Sequence, residues 1–447
     1  MTEQFELSAA LSRLGIEELT SMQKSASDAF SKGKDIVLLS PTGTGKTLAY
    51  LLPLMQAIDF ASKRVQAIVM VPSRELAQQI DGVVKSMKSP LRSVCCYGGR
   101  PAMEEHRMIA GVLPHIVIAT PGRLVDHLNK RNIEVDGIRT LVIDEFDKCL
   151  EFGFHGEMRE AMEMMPLVRQ RFLLSATDAE QIPSFVNMGR DKGEKAVRID
   201  YLSGSDEVAR RINLHVVKSP VKDKLDTLYC LLRTQGPRQS IVFLNYREAV
   251  ERVYNYLCSE GMYCEMFHGG MEQQHREKAL YKFANGTSNV LVSTDLSARG
   301  LDIPDIDNII HYHLPLNEEA FLHRNGRTAR WEAEGNSYII LHEEESIPEY
   351  VKDEPDEFFI PKKLPEMQLP LWATIYIGKG KKDKISKMDI LGFLCKIGGL
   401  ESKEVGRIDV RDHYAFAAVS RKKLYEVLRK VKGQKIKGVK TIFIEAK

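Results

Sequence analysis

Short runs of Val, Ile and Leu recur along the chain, and amphipathic stretches of helical length separate them. Such runs are typical of parallel strands buried on both faces, and the alternation predicts α/β units with helices on both sides of a sheet. Five runs lie in the first half of the sequence, at residues 35–39, 67–71, 116–119, 141–144 and 172–175. Four more lie in the second half, at residues 241–244, 289–293, 308–313 and 337–341. Because a polar, glycine-containing stretch at 203–211 divides the runs, we expect two successive sheets.

A second break precedes the C-terminal part of the chain. From about residue 343 to 370 the sequence carries five prolines and many acidic residues, which disfavour long regular elements. Shorter strand-like and helix-like runs beyond it predict a small α+β module. The predicted segments are a first lobe at 1–205, a second lobe at 211–345, a connecting segment at 346–371 and a C-terminal domain at 372–447.

The formal net charge of +2 conceals an uneven distribution. Residues 371–447 hold 19 basic and 8 acidic residues, whereas acidic residues are in excess over the rest of the chain. A basic C-terminal domain indicates an electrostatic surface for nucleic acid, although a solvated lysine-rich surface would give the same charge. Seven cysteines without a C-x-x-C pair predict reduced thiols and a cytoplasmic protein. The sequence has no uninterrupted apolar run of about 18 residues, so we expect no membrane span.

The strongest local signal is the sequence SPTGTGKT at residues 40–47, between a strand-like and a helix-like run. A glycine-rich turn there points backbone N–H groups at a phosphate chain, and the helix N-terminus adds its positive dipole end. Lys46 would neutralise the terminal phosphates, and the Thr47 hydroxyl would bind Mg²⁺. The spacing is that of a P-loop, except that Ser40 stands where the pattern has its first glycine.

A cluster of acidic residues, DEFD at 144–147, follows a buried strand-like run. Carboxylates at the end of an apolar strand are costly to bury unless a cation meets them. We expect Asp144 to hold Mg²⁺ and Glu145 to orient or deprotonate the attacking water. Exposed acids at the start of a surface helix are the alternative.

A third candidate is HRNGRTAR at residues 323–330, with three arginines and a glycine in eight positions. In phosphoryl transfer, an arginine from a second domain can neutralise charge that develops on the γ-phosphate. Arg327 and Arg330 are the candidates for that role, and a cluster on a helix surface is the alternative.

In this order the motifs resemble those of the DEAD-box family of RNA helicases. The resemblance implies two tandem RecA-like parallel-sheet lobes of α/β class, followed by a small RRM-like α+β domain. The catalytic residues that it implies are Lys46, Asp144, Glu145, Arg327 and Arg330. The nucleotide-binding residues are Phe5, Gln23, Ser40, Pro41, Thr42, Gly43, Thr44, Gly45, Lys46, Thr47 and Asp302.

The same resemblance implies residues for coupling and for RNA. Those that couple the nucleotide to lobe closure are Asp147, Ser175, Thr177 and His323. Those that hold the RNA backbone in the two lobes are Arg74, Gly99, Thr120, Gly122, Arg123, Gln273, Arg276 and Thr294.

Four positions depart from the family pattern. Phe146 replaces a small alanine, Leu19 replaces a proline, and Asn325 and Trp331 are unusual in or beside the last motif. None of them removes a group that the chemistry needs. We expect Phe146 to place an aromatic ring beside the magnesium site, where it could shift the contact made by residues 175–177 and weaken coupling.

The sequences at residues 375–394, 399–419 and 435–438 resemble the RNA-binding domain of the bacterial DbpA-like subfamily of this family. An RRM presents aromatic side chains on its central strands for base stacking, within a basic surface. Tyr376 and Tyr414 are the candidates, although alternation alone leaves open whether their face is the core. A lysine-rich loop offers phosphate contacts, with a solubilising loop as the alternative. Its candidate residues are Lys379, Lys381, Lys382 and Lys384.

The resemblance implies an ATP-dependent RNA helicase that uses ATP and Mg²⁺ and locally unwinds short duplexes. It also implies a hairpin region of 23S rRNA in the assembling 50S ribosomal subunit as the target, and a monomer. A protein of a different class, an ATP-dependent RNA clamp or assembly scaffold with little unwinding, is the rival hypothesis. Its support in the sequence is Phe146 and Asn325.

Overall fold

The computed structural model describes most of the chain. It covers residues 7–41, 44–99, 101–177, 182–186, 188–189, 195–202, 212–295, 306–328, 335–352 and 354–446. The described residues form two compact units, one up to residue 202 and one from residue 212 onward. Among these residues, none of the helices has both the length and the apolar character that crossing a bilayer requires.

The first unit is built on a parallel sheet of seven described strands. They are β1 (Ile36–Leu39), β2 (Ala67–Met70), β3 (Ser93–Cys96), β4 (Ile116–Ala119), β5 (Thr140–Ile143), β6 (Gln170–Ser175) and β7 (Val197–Asp200). Their order is β3-β4-β2-β5-β6-β1-β7. Apart from the edge strand β7, the strands are short and almost wholly buried because helices cover both faces of the sheet, as a parallel sheet requires.

Eight helices are described in the first unit. They are α1 (Leu7–Arg13), α2 (Ser21–Ser31), α3 (Lys46–Ala57), α4 (Arg74–Ser86), α5 (Ala102–Val112), α6 (Pro121–Asn129), α7 (Phe146–Glu151) and α8 (His155–Glu163). Two apolar clusters form the core, one on each face of the sheet. The order places β5, β6 and β1 side by side, so the loops that follow these three strands meet at one edge.

The second unit begins with another parallel sheet of seven described strands. They are β8 (Ile212–Ser219), β9 (Ser240–Leu244), β10 (Cys264–Phe267), β11 (Val290–Thr294), β12 (Asn308–His311), β13 (Gly335–His342) and β14 (Asp356–Glu357), in the order β10-β11-β9-β12-β13-β8-β14. The helices are α9 (Leu225–Gln235), α10 (Arg247–Ser259), α11 (Gln273–Ala284) and α12 (Glu318–Asn325). Strand β14 lies in the proline-rich connecting segment and pairs with β8 at the sheet edge.

The C-terminal part of this unit is a four-stranded antiparallel sheet with two helices. Its elements are β15 (Trp372–Ile377), α13 (Lys387–Lys396), β16 (Val405–Val410), β17 (Ala415–Ser420), α14 (Leu424–Val431), the hairpin β18 (Lys435–Ile436) and β19 (Val439–Lys440), and β20 (Phe443–Glu445). The sheet order is β16-β17-β15-β20. The predicted fold class, two parallel-sheet lobes and a small α+β domain, is confirmed.

Candidate active site and RNA interface

The predicted phosphate-binding loop lies between β1 and α3. Gly45 precedes the helix with a φ of +88°, a left-handed conformation that favours glycine. Lys46 is buried, and its Nζ donates a hydrogen bond to the Ser40 carbonyl oxygen at 2.6 Å. The Thr44 hydroxyl bonds to the Ser40 hydroxyl at 2.7 Å and to the Pro41 carbonyl oxygen at 2.9 Å. These bonds hold the described part of the loop at the N-terminus of a helix, where anions are stabilised.

Gln23 lies behind this loop rather than in open solvent. Its Oε1 accepts from the Thr20 backbone N–H at 3.0 Å, which completes a capping box at the start of α2. Its Nε2 donates to the Gly45 carbonyl oxygen at 3.2 Å. Gln23, one of the predicted nucleotide-binding residues, is therefore bonded directly to the phosphate loop, and its contact with the nucleotide stays a prediction.

The carboxylates that follow β5 meet the phosphate loop at the same sheet edge. Asp144 is buried, and its Oδ2 accepts from the Tyr50 hydroxyl at 3.2 Å. Burial raises the pKa of Asp144, and the nearby Lys46 ammonium opposes that shift. The Glu145 backbone N–H donates to Asp144 Oδ1 at 3.0 Å, and Glu145 has a φ of +50°. Non-glycine residues in this region store strain and cluster at functional sites.

The donor set at this edge fits Mg²⁺. Asp144 offers a carboxylate and Thr47 a hydroxyl, and hard divalent cations prefer oxygen ligands. A buried carboxylate is also costly when it is charged, and a cation beside it would offset that cost. Thr47 and Asp144 are therefore the residues that could hold the ion.

Three of the four residues predicted to couple the nucleotide to lobe closure, Asp147, Ser175 and Thr177, are in contact. The Thr177 hydroxyl donates to Asp147 Oδ2 at 3.1 Å, and the Ser175 hydroxyl donates to the Thr177 carbonyl oxygen at 2.6 Å. Phe146 is the departure from the family pattern that is expected to affect this contact. Its ring is 1% exposed and belongs to the apolar core on one face of the sheet, because the first turn of α7 directs it inward. The contact between Thr177 and Asp147 is present beside it.

The predicted RNA-backbone residues of the first unit come from adjacent loops. Arg74 opens α4, and its guanidinium lies against the glycine pair 98–99. Thr120 is the N-cap residue of α6, so Gly122 and Arg123 lie in the first turn of that helix. Backbone N–H groups at a helix N-terminus suit a phosphate group.

Replacing Gly99 by Ala should weaken RNA binding several-fold and cost about 1–3 kcal/mol of stability. Gly99 has a φ of +92°, and a Cβ there would lie 2.5 Å from Arg74 Nη1, so the guanidinium must move. Gly98→Ala is the matched control, because its Cβ would meet Arg74 Nη2 at 3.5 Å, an ordinary contact. RNA affinity at fixed salt measures the effect; equal affinities of the two variants would contradict it.

Sequence reasoning missed a buried group that holds Arg123. The Glu105 carboxylate is fully buried; it accepts from the Tyr97 backbone N–H at 2.9 Å and bonds to His127 Nε2 at 2.9 Å. Arg123 Nε lies 3.3 Å from the same carboxylate. Cys96 is also close, but the guanidinium beside Glu105 disfavours a metal cation. The sequence feature that could have revealed this group is a glutamate on the buried face of α5.

Within the last motif, residues 323–330, Arg324 has a structural role in the second lobe. Arg324 is 1% exposed, and its Nη2 donates to Asp295 Oδ2 at 2.7 Å and to Asn245 Oδ1 at 2.8 Å. Its Nη1 donates to the His313 carbonyl oxygen at 2.7 Å. Arg324 therefore ties together the carboxyl ends of β9, β11 and β12. Of the remaining predicted residues, Arg327 is buried directly after α12.

Asn325 and its neighbours explain one departure from the family pattern. Asn325 Oδ1 accepts from the Ser337 hydroxyl at 2.8 Å and lies 3.1 Å from His311 Nε2. All three side chains are buried in the second lobe. Asn325 thus completes an internal polar network. His323, a predicted coupling residue, lies in the last turn of α12, with its Nδ1 3.7 Å from Glu319 Oε1.

The stability of the second unit should fall as the pH drops from about 6.5 toward 3 because of His311. Burial, and then the Arg324 charge, lower the pKa of His311 to about 3. The unfolded chain therefore binds a proton in this window that the folded chain excludes. His311→Asn should flatten this part of the curve of unfolding free energy against pH, as urea unfolding would show. An unchanged slope would contradict the assignment.

The second-lobe residues predicted for RNA lie on two elements. Gln273 is the first residue of α11, and its Nε2 donates to Glu277 Oε1 at 3.2 Å. The Arg276 guanidinium lies 4.8 Å from the centre of the Phe267 ring. Thr294 ends β11 and is buried.

The C-terminal sheet has its core on one face only. That core contains the side chains of Ala373, Ile375 and Ile377. The opposite face of the sheet carries Tyr376 and Tyr414, so these two rings are not part of the core of the domain. This second face packs on α11 of the second lobe, and base stacking by the two rings stays a prediction. In the lysine loop, Lys381, Lys382 and Lys384 are exposed and Lys379 pairs with Asp383 at 2.9 Å.

Together, a glycine turn after β1, a buried lysine and a carboxylate at the end of β5 are typical of a nucleoside-triphosphate site. Three family descriptions match the chain. They are DEAD/DEAH box helicase at residues 20–184, helicase conserved C-terminal domain at 223–332, and DbpA RNA binding domain at 374–444.

Relatives match over almost the whole length. The ATP-dependent RNA helicase DbpA of Escherichia coli (strain K12) is 32% identical over 440 residues, covering 96% of this chain and 94% of that protein. Its namesake in Bacillus subtilis (strain 168) is 30% identical over 458 residues, covering 96% and 95%. The structure of S. cerevisiae Dbp5 bound to RNA and ADP BeF3 has a TM-score of 0.66 at 25% identity, covering 75% of this chain and 86% of that one. The chain therefore belongs to the DEAD-box ATP-dependent RNA helicases of the DbpA type.

Membership in this family makes the protein a nucleotide-using, RNA-binding enzyme. Five of the predicted site residues lie outside the described residues: Phe5, Thr42, Gly43, Asp302 and Arg330. The roles of individual residues remain predictions, and the tests below address them.

Proposed function

We propose that the protein locally unwinds short RNA duplexes in 23S rRNA of the assembling 50S ribosomal subunit, as a cytoplasmic monomer. The observation that carries unwinding is the meeting of Lys46 with Asp144 at one sheet edge, beside an intact contact between Thr177 and Asp147. The match to the DbpA RNA binding domain supports a structured ribosomal target. Seven free cysteines fit a reducing compartment.

In the proposed chemistry, Lys46 neutralises the terminal phosphates of ATP. Thr47 and Asp144 would hold Mg²⁺, which supplies positive charge to the β- and γ-phosphates when bound. Glu145 orients the water that attacks the γ-phosphorus, and Arg327 with Arg330 stabilises the charge that develops in the transition state. Hydrolysis and phosphate loss then release the RNA strand.

The rival function, an ATP-dependent RNA clamp, loses most of its support. Phe146 faces the apolar core and Asn325 faces an internal network, so neither side chain interrupts the contacts at the described edge.

ATP hydrolysis with Mg²⁺ tests the proposed target. The rate should rise strongly with a 23S rRNA fragment that carries the hairpin and weakly with generic RNA of equal length. Equal stimulation by both RNAs would support RNA-stimulated ATP hydrolysis by the helicase lobes but would contradict the proposed ribosomal target.

A further inference from the structure

The aromatic face of the C-terminal sheet is a docking surface for helix α11 of the second lobe. The Tyr281 ring, on α11, is 4% exposed and stacks on Phe416 with ring centres 5.0 Å apart. At the end of the helix, Asn285 Nδ2 donates to the Thr374 hydroxyl at 3.0 Å. The Arg421 guanidinium lies 4.2 Å from the centre of the Tyr263 ring. The contact combines apolar packing, hydrogen bonds and a cation–π pair, and therefore fixes one arrangement.

Within this contact, one carboxylate joins the C-terminal domain to Gln273, a residue predicted to contact RNA. The Tyr414 hydroxyl donates to Glu277 Oε2 at 2.9 Å. The other oxygen of the same carboxylate, Oε1, accepts from Gln273 Nε2 at 3.2 Å. Gln273 and Glu277 are four positions apart on α11, so their side chains share one face of the helix.

We propose that Glu277 is a positioning residue for RNA binding, which holds Gln273 toward the RNA backbone and is itself held by Tyr414 of the docked C-terminal domain. The inference rests on the proposed role of Gln273 in RNA binding. Docking would then raise the affinity of the second lobe for RNA, in addition to holding the enzyme near its target RNA.

The physical reason is the freedom of the side chains involved. Gln273 and Glu277 are long, and fixing each of them costs conformational entropy when RNA binds. The bond from Tyr414 fixes Glu277 before RNA arrives and so removes part of that cost. Burial, and then the Glu277 charge, raise the pKa of Tyr414 above its usual range, so the hydroxyl stays a donor.

Tyr414→Phe should remove this link and leave the C-terminal domain docked on α11. The stack of Tyr281 on Phe416 and the bonds of Asn285 and Thr287 to Thr374 do not involve the hydroxyl. Tyr425→Phe is the matched control, since Tyr425 lies in the same domain and is 79% exposed.

The test measures the Kd of the full chain for generic single-stranded RNA, with RNA-stimulated ATP hydrolysis in parallel. Tyr414→Phe and Glu277→Ala should each raise the Kd about threefold to tenfold, whereas the control Tyr425→Phe should leave it unchanged. Glu277→Gln should restore part of the affinity, because its amide can still bond to both neighbours. The double variant Tyr414→Phe with Glu277→Ala should be no weaker than Glu277→Ala alone.

Two results would overturn the inference. One is a Kd unchanged in Tyr414→Phe but raised in Tyr414→Ala, which would assign the ring to base stacking. The other is full additivity in the double variant. If RNA fails to stimulate hydrolysis by the unaltered chain, the proposed function fails, and the Kd values still decide the role of Glu277.

Discussion

Replacing Glu145 by Gln is expected to lower RNA-stimulated ATP hydrolysis by at least about a hundredfold while leaving ATP binding within a few-fold. Glu145 follows Asp144 at the carboxyl end of β5, in a left-handed conformation that only a few side-chain types adopt readily. The amide of Gln keeps the size of the side chain but cannot accept a proton from water. Steady-state hydrolysis and equilibrium binding of a fluorescent ATP analogue measure the two quantities.

Glu163→Gln is the matched control for this change. Glu163 is exposed at the end of α8, and its replacement by Gln removes one negative charge from the same unit. Its turnover should equal that of the unaltered protein. If Glu145→Gln also retained turnover within a few-fold, the assignment of the water-orienting residue would be wrong.

The second large effect is on stability, and it concerns Arg324. Arg324→Ala should cost about 3–5 kcal/mol of unfolding free energy, because it leaves the Asp295 carboxylate without its buried partner. It also removes the donors that join Asn245 and His313 to the same point. Both tryptophans of the sequence follow residue 211, so urea unfolding followed by tryptophan fluorescence reports on this unit.

Arg252→Ala provides the comparison. Arg252 pairs with Asp223, but both side chains are about half exposed, and an exposed ion pair contributes under about 1 kcal/mol. A cost for Arg324→Ala that is no larger than this would contradict the structural role given to the buried arginine.

Local sequence patterns predict much of the fold and the nucleotide site. The apolar runs before Ser40 and Asp144 become β1 and β5, because continuous burial of Val, Ile and Leu needs a parallel sheet covered on both faces. The glycine turn and the acidic cluster then meet because β1 and β5 are separated only by β6, and the carboxyl ends of parallel strands share one edge of the sheet.

The directions in which particular side chains point could not be predicted from the sequence. Motif spacing fixes the position of Phe146 along the chain but not the face of α7 on which its ring lies, and the ring joins the apolar core. Tyr376 and Tyr414 alternate in the same way whether they face RNA, solvent or another domain. Their packing on α11 depends on Tyr281, which is more than 90 positions away, and a local pattern carries no information about such a contact.

The central claim is ATP-driven unwinding, and strand displacement on a short RNA duplex tests it most directly. The duplex should carry the 23S hairpin on a single-stranded extension, and ATP turnover should be measured in the same reaction, with Lys46→Ala as the inactive control. The account predicts displacement that requires ATP, Mg²⁺ and Lys46. Rapid RNA-stimulated turnover without displacement of the strand would contradict it and identify a clamp.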